Sequence, residues 1–110
     1  MGLKGVPAEP AAYLWANKPA AASYHPASAF RDSSAGIAPS VTRSGVGAYL
    51  VRLPGMPLGG SAQVTAYGRG RSECQLSSIR KTDKPQRIGV LCFKPDGDPV
   101  DSRFYLTFTR

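Results

Sequence analysis

The sequence predicts an all-β fold, an antiparallel β-sandwich of about seven strands closed by one disulfide. Short apolar segments with alternating polarity recur between turn signals, and no segment keeps a helical period. Ten prolines are spread along the 110 residues, where they would interrupt helices. Two cysteines, Cys74 and Cys92, lie where two neighbouring strands would bring them together.

The chain has the length of one domain. Residues 1–12 carry two prolines and several small residues, and we expect them to form a flexible lead-in. Residues 13–110 then form a single sandwich domain. A domain of this size has a modest core, which a cross-link would help to stabilise.

The first strand is predicted at Tyr13–Asn17, because Pro19 stops the extended segment soon afterwards. Residues 20–40 are rich in Ala and Ser, and we expect irregular chain there with a strand near Ser28–Arg31. Three alanines at residues 20–22 are too few to nucleate a stable helix.

A hairpin is predicted from Val41–Arg43 to Ala48–Leu53, because the intervening glycines suit a tight turn. Three residues of its second strand share one face, namely Tyr49, Val51 and Leu53. Two further strands are predicted at Ala62–Tyr67, with Val64 facing inward, and at Arg103–Thr109.

Residues 73–93 predict two antiparallel strands in one specific register. If Cys74 opposes Cys92, then Leu76 opposes Val90 and Ser78 opposes Ile88. Opposed residues lie about 5 Å apart between Cα atoms, a distance that a disulfide spans. The pair therefore predicts a disulfide, and two buried free thiols are the alternative.

The expected location is the cell exterior or the cell surface, because disulfides persist in oxidising compartments. No apolar run reaches the length of about eighteen residues that a membrane span requires. Residues 1–4 lack the apolar core of a signal peptide, so we expect the export signal to be missing from this sequence.

Several short motifs, spread over most of residues 13–108, are similar to those of a known protein family. They are Tyr13–Pro19 (YLWANKP), Ala22–Pro26 (ASYHP), Val41–Tyr49 (VTRSGVGAY), Leu53–Gly55 (LPG), Val64–Gly68 (VTAYG), Cys74, Cys92–Phe93 (CF) and Pro99–Phe104 (PVDSRF). Together they resemble an uncharacterised domain of similar size in secreted bacterial proteins. That family has no assigned activity, so the resemblance implies export and a β fold and carries over no functional residue.

Residues for catalysis or metal binding are scarce, and we expect neither an enzyme nor a cofactor. His25 is the single histidine, and no Gly-x-Ser-x-Gly motif accompanies it. Asp96, Asp98 and Asp101 are dense enough to begin a calcium site, but their spacing differs from that of an EF-hand loop. We interpret them as turn residues. Two cysteines and one histidine do not complete a zinc site.

Positive charge is the strongest functional signal, because the formal net charge is +7. Arg69 and Arg71 lie at one end of the predicted hairpin. Four basic residues lie at the opposite loop and form a candidate site for an anionic polymer: Arg80, Lys81, Lys84 and Arg87. The alternative is a solvated basic surface.

Aromatic residues supply a second candidate site. Tyr13 and Trp15 share one face of the first strand, where they could stack on a sugar ring, although a single Trp is more often part of a core. Tyr67 and Tyr105 are also expected to face outward, but no nucleic-acid-binding motif accompanies them, so nucleic acid is not the expected partner.

The sequence thus favours a non-enzymatic binding or adhesion module of a secreted or surface bacterial protein, with carbohydrate or an anionic polymer as ligand. The alternative is a structural module that contacts itself or a partner protein through its sheet edges.

Overall fold

In the computed structural model, residues 10–80 and 85–110 are described. This part of the chain forms nine β-strands and one 3₁₀ helix, Ser28–Phe30. The strands are β1 Ala11–Ala16, β2 Ser23–Tyr24, β3 Arg31–Ser33, β4 Ser40–Gly45, β5 Ala48–Leu53, β6 Ser61–Tyr67, β7 Glu73–Ile79, β8 Gln86–Phe93 and β9 Arg103–Thr109. The all-β prediction is confirmed, with nine strands among the described residues in place of about seven. The short β2 was not predicted, and β3 only overlaps the strand predicted near Ser28–Arg31.

The strands form two antiparallel sheets. The four-stranded sheet has the order β3-β1-β9-β6, and the five-stranded sheet has the order β2-β4-β5-β8-β7. The predicted sandwich is therefore confirmed. None of the described residues belongs to a helix long enough and apolar enough to cross a membrane.

The core lies between the sheets because their strands alternate apolar and polar residues. In β1 and β9, every second side chain is buried and its neighbours are partly or fully exposed. The four-stranded sheet contributes the buried side chains of Leu14, Phe104, Leu106 and Phe108. The five-stranded sheet contributes Val41, Tyr49, Val51, Leu53, Ile88 and Val90. Ala62 and Val64 of β6 are half-buried against this core, as predicted for Val64.

Two of the differences from the predicted strand boundaries have a clear cause in the hydrogen bonds. β1 begins at Ala11, inside the segment predicted as a lead-in, because Ala11 and Ala12 pair with Thr109 and Phe108. The predicted strand at Ser28–Arg31 is wrong for its first three residues. The Phe30 amide donates to the Ala27 carbonyl at 2.7 Å and closes a 3₁₀ turn. The strand starts only at Arg31, where pairing with Leu14 begins.

The disulfide prediction is confirmed, and its register holds for two pairs. Cys74 opposes Cys92, with 4.0 Å between their Cα atoms, and Leu76 opposes Val90. A β-bulge then shifts the register.

The predicted pairing of Ser78 with Ile88 is wrong because of this bulge. Ser78 opposes Gly89, and Ile79 opposes Ile88. The extra residue has a physical reason, since it brings the apolar Ile79 against the core instead of a serine. The hydroxyls of Ser78 and of its neighbour Ser77 then lie over Gly89, where the absence of a Cβ leaves room for them.

The predicted hairpin is confirmed as β4 and β5, joined by Val46 and Gly47. Gly47 has a φ of 65°, a conformation that other residues adopt at a steric cost. Its carbonyl accepts from the Cys92 amide at 2.7 Å, so the turn is joined to β8.

Gln86 is fully buried, and its amide is completely hydrogen-bonded. Its Nε2 donates to the carbonyls of Pro57 and Gly59 at 3.1 and 3.0 Å. Its Oε1 accepts from the backbone amides of Arg80 and Arg87 at 3.1 and 2.9 Å. One side chain thereby ties the segment before β6 to β8 and to the end of β7.

Candidate functional site

Four aromatic rings lie together on the outer face of the four-stranded sheet. Tyr13 and Trp15 come from β1, where they alternate with buried residues. Tyr105 comes from β9 directly opposite Trp15, and Tyr67 comes from β6 opposite Arg103. Because alternate residues of a strand point to opposite faces, burial of Leu14 and Leu106 places the four rings outside. We call this surface the aromatic face.

The rings are in mutual contact and Trp15 is at their centre. Its ring centroid lies 4.3 Å from that of Tyr105, with 41° between the planes. It lies 5.0 Å from that of Tyr67, where the rings meet edge to face at 87°. The Tyr13 and Tyr105 centroids are 6.2 Å apart. These separations are typical of attractive aromatic pairs, so the rings support one another's orientation.

Much of this aromatic surface is open to solvent. Tyr13 is 37% exposed and Trp15 is 36% exposed. The prediction that these two residues share a face is therefore confirmed, whereas the more common role of a single tryptophan in a core does not apply here. Polar side chains from paired strands lie beside the rings on the same face, namely Asp32, Gln63, Thr65, Arg103 and Thr107.

A cleft of about 530 Å³ adjoins the aromatic face at the end of the sandwich. Tyr67 and Arg103 line it, together with Pro19, Arg69 and Asp101. Burial raises the pKa of the Tyr67 hydroxyl, and the nearby Arg103 charge counteracts part of that effect. Tyr67 therefore stays a neutral hydrogen-bond donor at the border between the rings and the cleft.

Asp101 organises the wall of the cleft. Its Oδ1 accepts from the Arg43 Nε at 3.0 Å and from the Gly47 amide at 2.9 Å. Burial by itself would raise the pKa of Asp101, but the hydrogen bonds from Arg43 and Gly47 outweigh it and hold the pKa below its usual value. The carboxylate is thus ionised and committed to structural partners.

Tyr49 joins the same network from the core. Its hydroxyl donates to the Pro19 carbonyl at 2.8 Å and accepts from the Ser102 amide at 3.1 Å. Burial is the main cause that raises the pKa of Tyr49 to about 12. Because the hydroxyl stays protonated, it fixes the Pro19 loop beside the cleft.

Two of the four predicted basic residues, Arg80 and Arg87, are described, and they lie on the other side of the molecule. Arg87 belongs to the outer face of the five-stranded sheet, and Arg80 follows β7 beside it, with its amide 3.0 Å from the Arg87 carbonyl. Lys81 and Lys84 lie outside the described residues. Arg87, and Arg80 beside it, are therefore separate from the aromatic face and lie on the opposite side of the sandwich.

His25 and the aspartates have local roles. The His25 Nδ1 lies 3.0 Å from the Pro39 carbonyl oxygen. Asp96 accepts from the Asp98 amide at 3.0 Å, which is the usual role of an aspartate in a turn. Asp101 is bound to Arg43 instead of joining the other two aspartates.

Two contributions to the candidate surfaces escape sequence reasoning. The sequence predicts that Tyr67 and Tyr105 face outward, but only the strand order β1-β9-β6 brings them to Trp15. Arg52 lies directly opposite Arg87 in the five-stranded sheet, although 35 positions separate them along the chain. An alternation pattern assigns a face to each residue, but it does not show which strands are neighbours.

Comparisons with models of protein families, with curated proteins and with solved structures found no significant match. The resemblance to a domain of secreted bacterial proteins therefore stays a prediction.

Proposed function

We propose that this chain is a non-enzymatic binding or adhesion module of a secreted or cell-surface bacterial protein. Its ligand is carbohydrate, bound on the aromatic face. The observation that carries the proposal is the contact cluster around the exposed Trp15, which joins rings from three strands. The disulfide adds support for an oxidising compartment.

Sugar rings suit this surface because a pyranose has one face of C–H groups and a rim of hydroxyls. The C–H face packs on an aromatic ring, and the hydroxyls find partners among flanking polar side chains. Gln63, Thr65 and Thr107 lie beside the rings on the same face and supply both donors and acceptors.

The tilt between the rings narrows the class of ligand. Trp15 stands at 41° to Tyr105 and at 87° to Tyr67, so the rings do not form one flat strip. A flat crystalline polysaccharide surface would contact only part of the cluster. A single glycan chain that turns from Trp15 toward the cleft beside Tyr67 matches the surface better.

Trp15 provides a direct test because it is the single tryptophan of the sequence. Soluble neutral polysaccharides are titrated into the protein while the tryptophan emission and its quenching by acrylamide are followed. We expect a blue shift and reduced quenching when a sugar covers the indole, with little dependence on salt. The variant Trp15→Ala has no tryptophan, so its binding is measured by affinity electrophoresis. We expect it to bind about tenfold more weakly, because one stacking contact and its buried area are lost.

Phe30→Ala is the matched control, because Phe30 is 40% exposed and lies outside the ring cluster. It should leave glycan binding unchanged. Equal binding by the parent protein and Trp15→Ala would contradict the proposal. So would quenching by single-stranded DNA alone with steep salt dependence, which would mark a nucleic-acid surface instead.

An assembly module is the second candidate, and β6 favours it. This strand is the edge of its sheet, and its sequence Ser61–Tyr67 contains neither proline nor charge, the features that usually protect an edge. Light scattering over a concentration series distinguishes the two candidates. A mass that rises with concentration, without binding of any glycan, would support assembly.

A further inference from the structure

Two arginines lie directly opposite each other on the outer face of the five-stranded sheet. Arg52 of β5 is the register partner of Arg87 of β8. Val51, Leu53, Gln86 and Ile88 on either side are buried, so both arginines point away from the core. Opposed residues in such a pair lie about 5 Å apart between Cα atoms, well within the combined reach of two guanidinium groups.

Neither arginine has a charged partner among the described residues. The ion pair of this part of the chain joins Asp101 to Arg43, which shares its face of β4 with the buried Val41. Arg52 donates one hydrogen bond, from Nη1 to the Thr42 hydroxyl at 3.3 Å. The Arg87 Nε is buried from solvent and lacks a hydrogen-bond partner in the described chain.

Without a bound anion, the opposed arginines destabilise the folded state in two ways. Like charges directly opposite each other destabilise a strand pair. A buried N–H of a charged group without an acceptor adds a desolvation cost. An anion with two or more oxygens would remove the first cost, because it neutralises the pair. It would remove the second cost when the Arg87 side chain turns so that its Nε, buried in this structure, donates to the anion.

We propose that Arg52 and Arg87 form an oxyanion-binding site on the outer face of the five-stranded sheet. The ligand group is a sulfate or carboxylate carried by an acidic polysaccharide, held between the two guanidinium groups. Planar guanidinium groups present paired N–H donors that match such oxygens. The site is separate from the aromatic face, and it does not depend on sugar binding there.

Inorganic sulfate is the first probe. It replaces chloride at constant ionic strength, while the arginine Nε–Hε signals are followed by NMR. We expect a saturable shift of the Arg87 signal. Arg87→Ala and Arg52→Ala should each weaken sulfate binding about tenfold or more, the effect expected for lost charge-assisted hydrogen bonds. Arg87→Lys keeps the charge but loses the paired donors, so it should also weaken binding.

Arg71→Ala is the matched control, because Arg71 is exposed in the connection between β6 and β7 and its removal lowers the net charge by the same amount. It should leave sulfate binding nearly unchanged. Equal weakening by Arg71→Ala and Arg87→Ala would overturn the proposal, since it would show general screening by the basic surface. A linear, unsaturable response of the Arg87 signal would overturn it as well.

Two polymers then distinguish the ligand group. Heparin carries sulfates and polygalacturonate carries carboxylates, and each is used to displace inorganic sulfate from the site. Stronger displacement by one of them assigns its group to the pair. Displacement by neither would overturn the assignment to a polysaccharide. Trp15→Ala should behave like the parent protein in all of these measurements, which separates this site from the aromatic face.

Discussion

Asp101 shows how a single carboxylate joins distant parts of this chain. It lies 58 positions from Arg43 and 54 from Gly47, and it binds both. It also lies 3.4 Å from the Tyr49 hydroxyl, which itself holds the Pro19 loop. The wall of the cleft therefore depends on one ionised group.

Asp101→Asn tests that dependence through pH. The folded protein holds the pKa of Asp101 below its usual value of about 3.9, so the carboxylate stabilises the fold above that pH. This contribution is lost as the pH falls through the lowered pKa of the folded state. We expect Asp101→Asn to lower the free energy of unfolding at pH 7 by about 1–3 kcal/mol, the range for hydrogen bonds to charged groups.

Urea unfolding at pH 7, 5 and 3 measures this effect, and the difference between parent and variant should shrink at the lowest pH. Asp96→Asn is the control. Asp96 accepts one bond in an exposed turn, and asparagine can replace it, so the change should stay within about 0.5 kcal/mol. A difference for Asp101→Asn that is constant across pH would contradict the account.

The structural roles of single residues such as Asp101 and Gln86 cannot be predicted from the sequence. The sequence predicts that Asp101 is the last of three turn aspartates. Only its position beside the β4–β5 turn gives it Arg43 as a partner. Gln86 is similar, because burial of its amide depends on four backbone groups, two of which belong to the distant Pro57 and Gly59. Both roles depend on contacts between segments that are distant or irregular, and a local pattern carries no information about them.

At the scale of elements, the turn between β4 and β5 is tightly fitted. A Cβ on Gly47 would lie 2.5 Å from the Cys92 carbonyl oxygen and 2.8 Å from that of Val100. Its φ of 65° is also unfavourable for other residues. Both atoms belong to backbone and cannot rotate away.

Gly47→Ala should therefore lower the free energy of unfolding by about 2–5 kcal/mol, the sum of a backbone conformational cost and an overpacking cost. Gly45→Ala is a matched control two residues away, because a Cβ there meets no atom within 4 Å. Thermal and urea unfolding of both variants provide the measurement. Equal stability of the two variants would show that the turn tolerates a side chain.

Elements with strong alternation were predictable, and irregular ones were not. The β4–β5 hairpin and the pairing of Cys74 with Cys92 follow from turn glycines and apolar periodicity. The alternation does not predict the bulge in β7, because it assigns Ser78 to the core side and cannot show that Ile79 fits better there. The 3₁₀ helix was missed because its three residues are held by one local hydrogen bond.

At the scale of the whole molecule, the disulfide secures one margin of the sandwich. β7 is the edge of the five-stranded sheet, and among the described strands it pairs only with β8. The cross-link spans 18 positions, for which the chain-entropy account gives about 3 kcal/mol. Its loss should therefore release β7 before the strands in the sheet interiors.

Cys74→Ala combined with Cys92→Ala should lower the free energy of unfolding by about 2–4 kcal/mol. Hydrogen exchange should show the largest loss of protection in β7 and the smallest in β9, which is paired on both sides. A uniform loss in both strands would contradict the expectation that β7 opens locally.

The fold of the molecule was predictable because burial imposes one period on every strand. The candidate surfaces were predictable in part. Trp15 was assigned to its face correctly with Tyr13, but the meeting of rings from β1, β9 and β6 depends on strand order. The same limit applies to Arg52 and Arg87, which only sheet assembly makes neighbours.

The pairing of β1 with β9 has a mechanical consequence. Ala11 opposes Thr109, and the Arg110 amide donates to the Pro10 carbonyl, so residues 10 and 110 lie side by side. A pulling force applied between them would separate the two strands one hydrogen bond at a time, like a zipper, instead of shearing all their bonds at once. A weak force applied between residues 10 and 110 would therefore be enough to separate β1 from β9. A force applied to the outer face of either sheet would not separate the strands in this way.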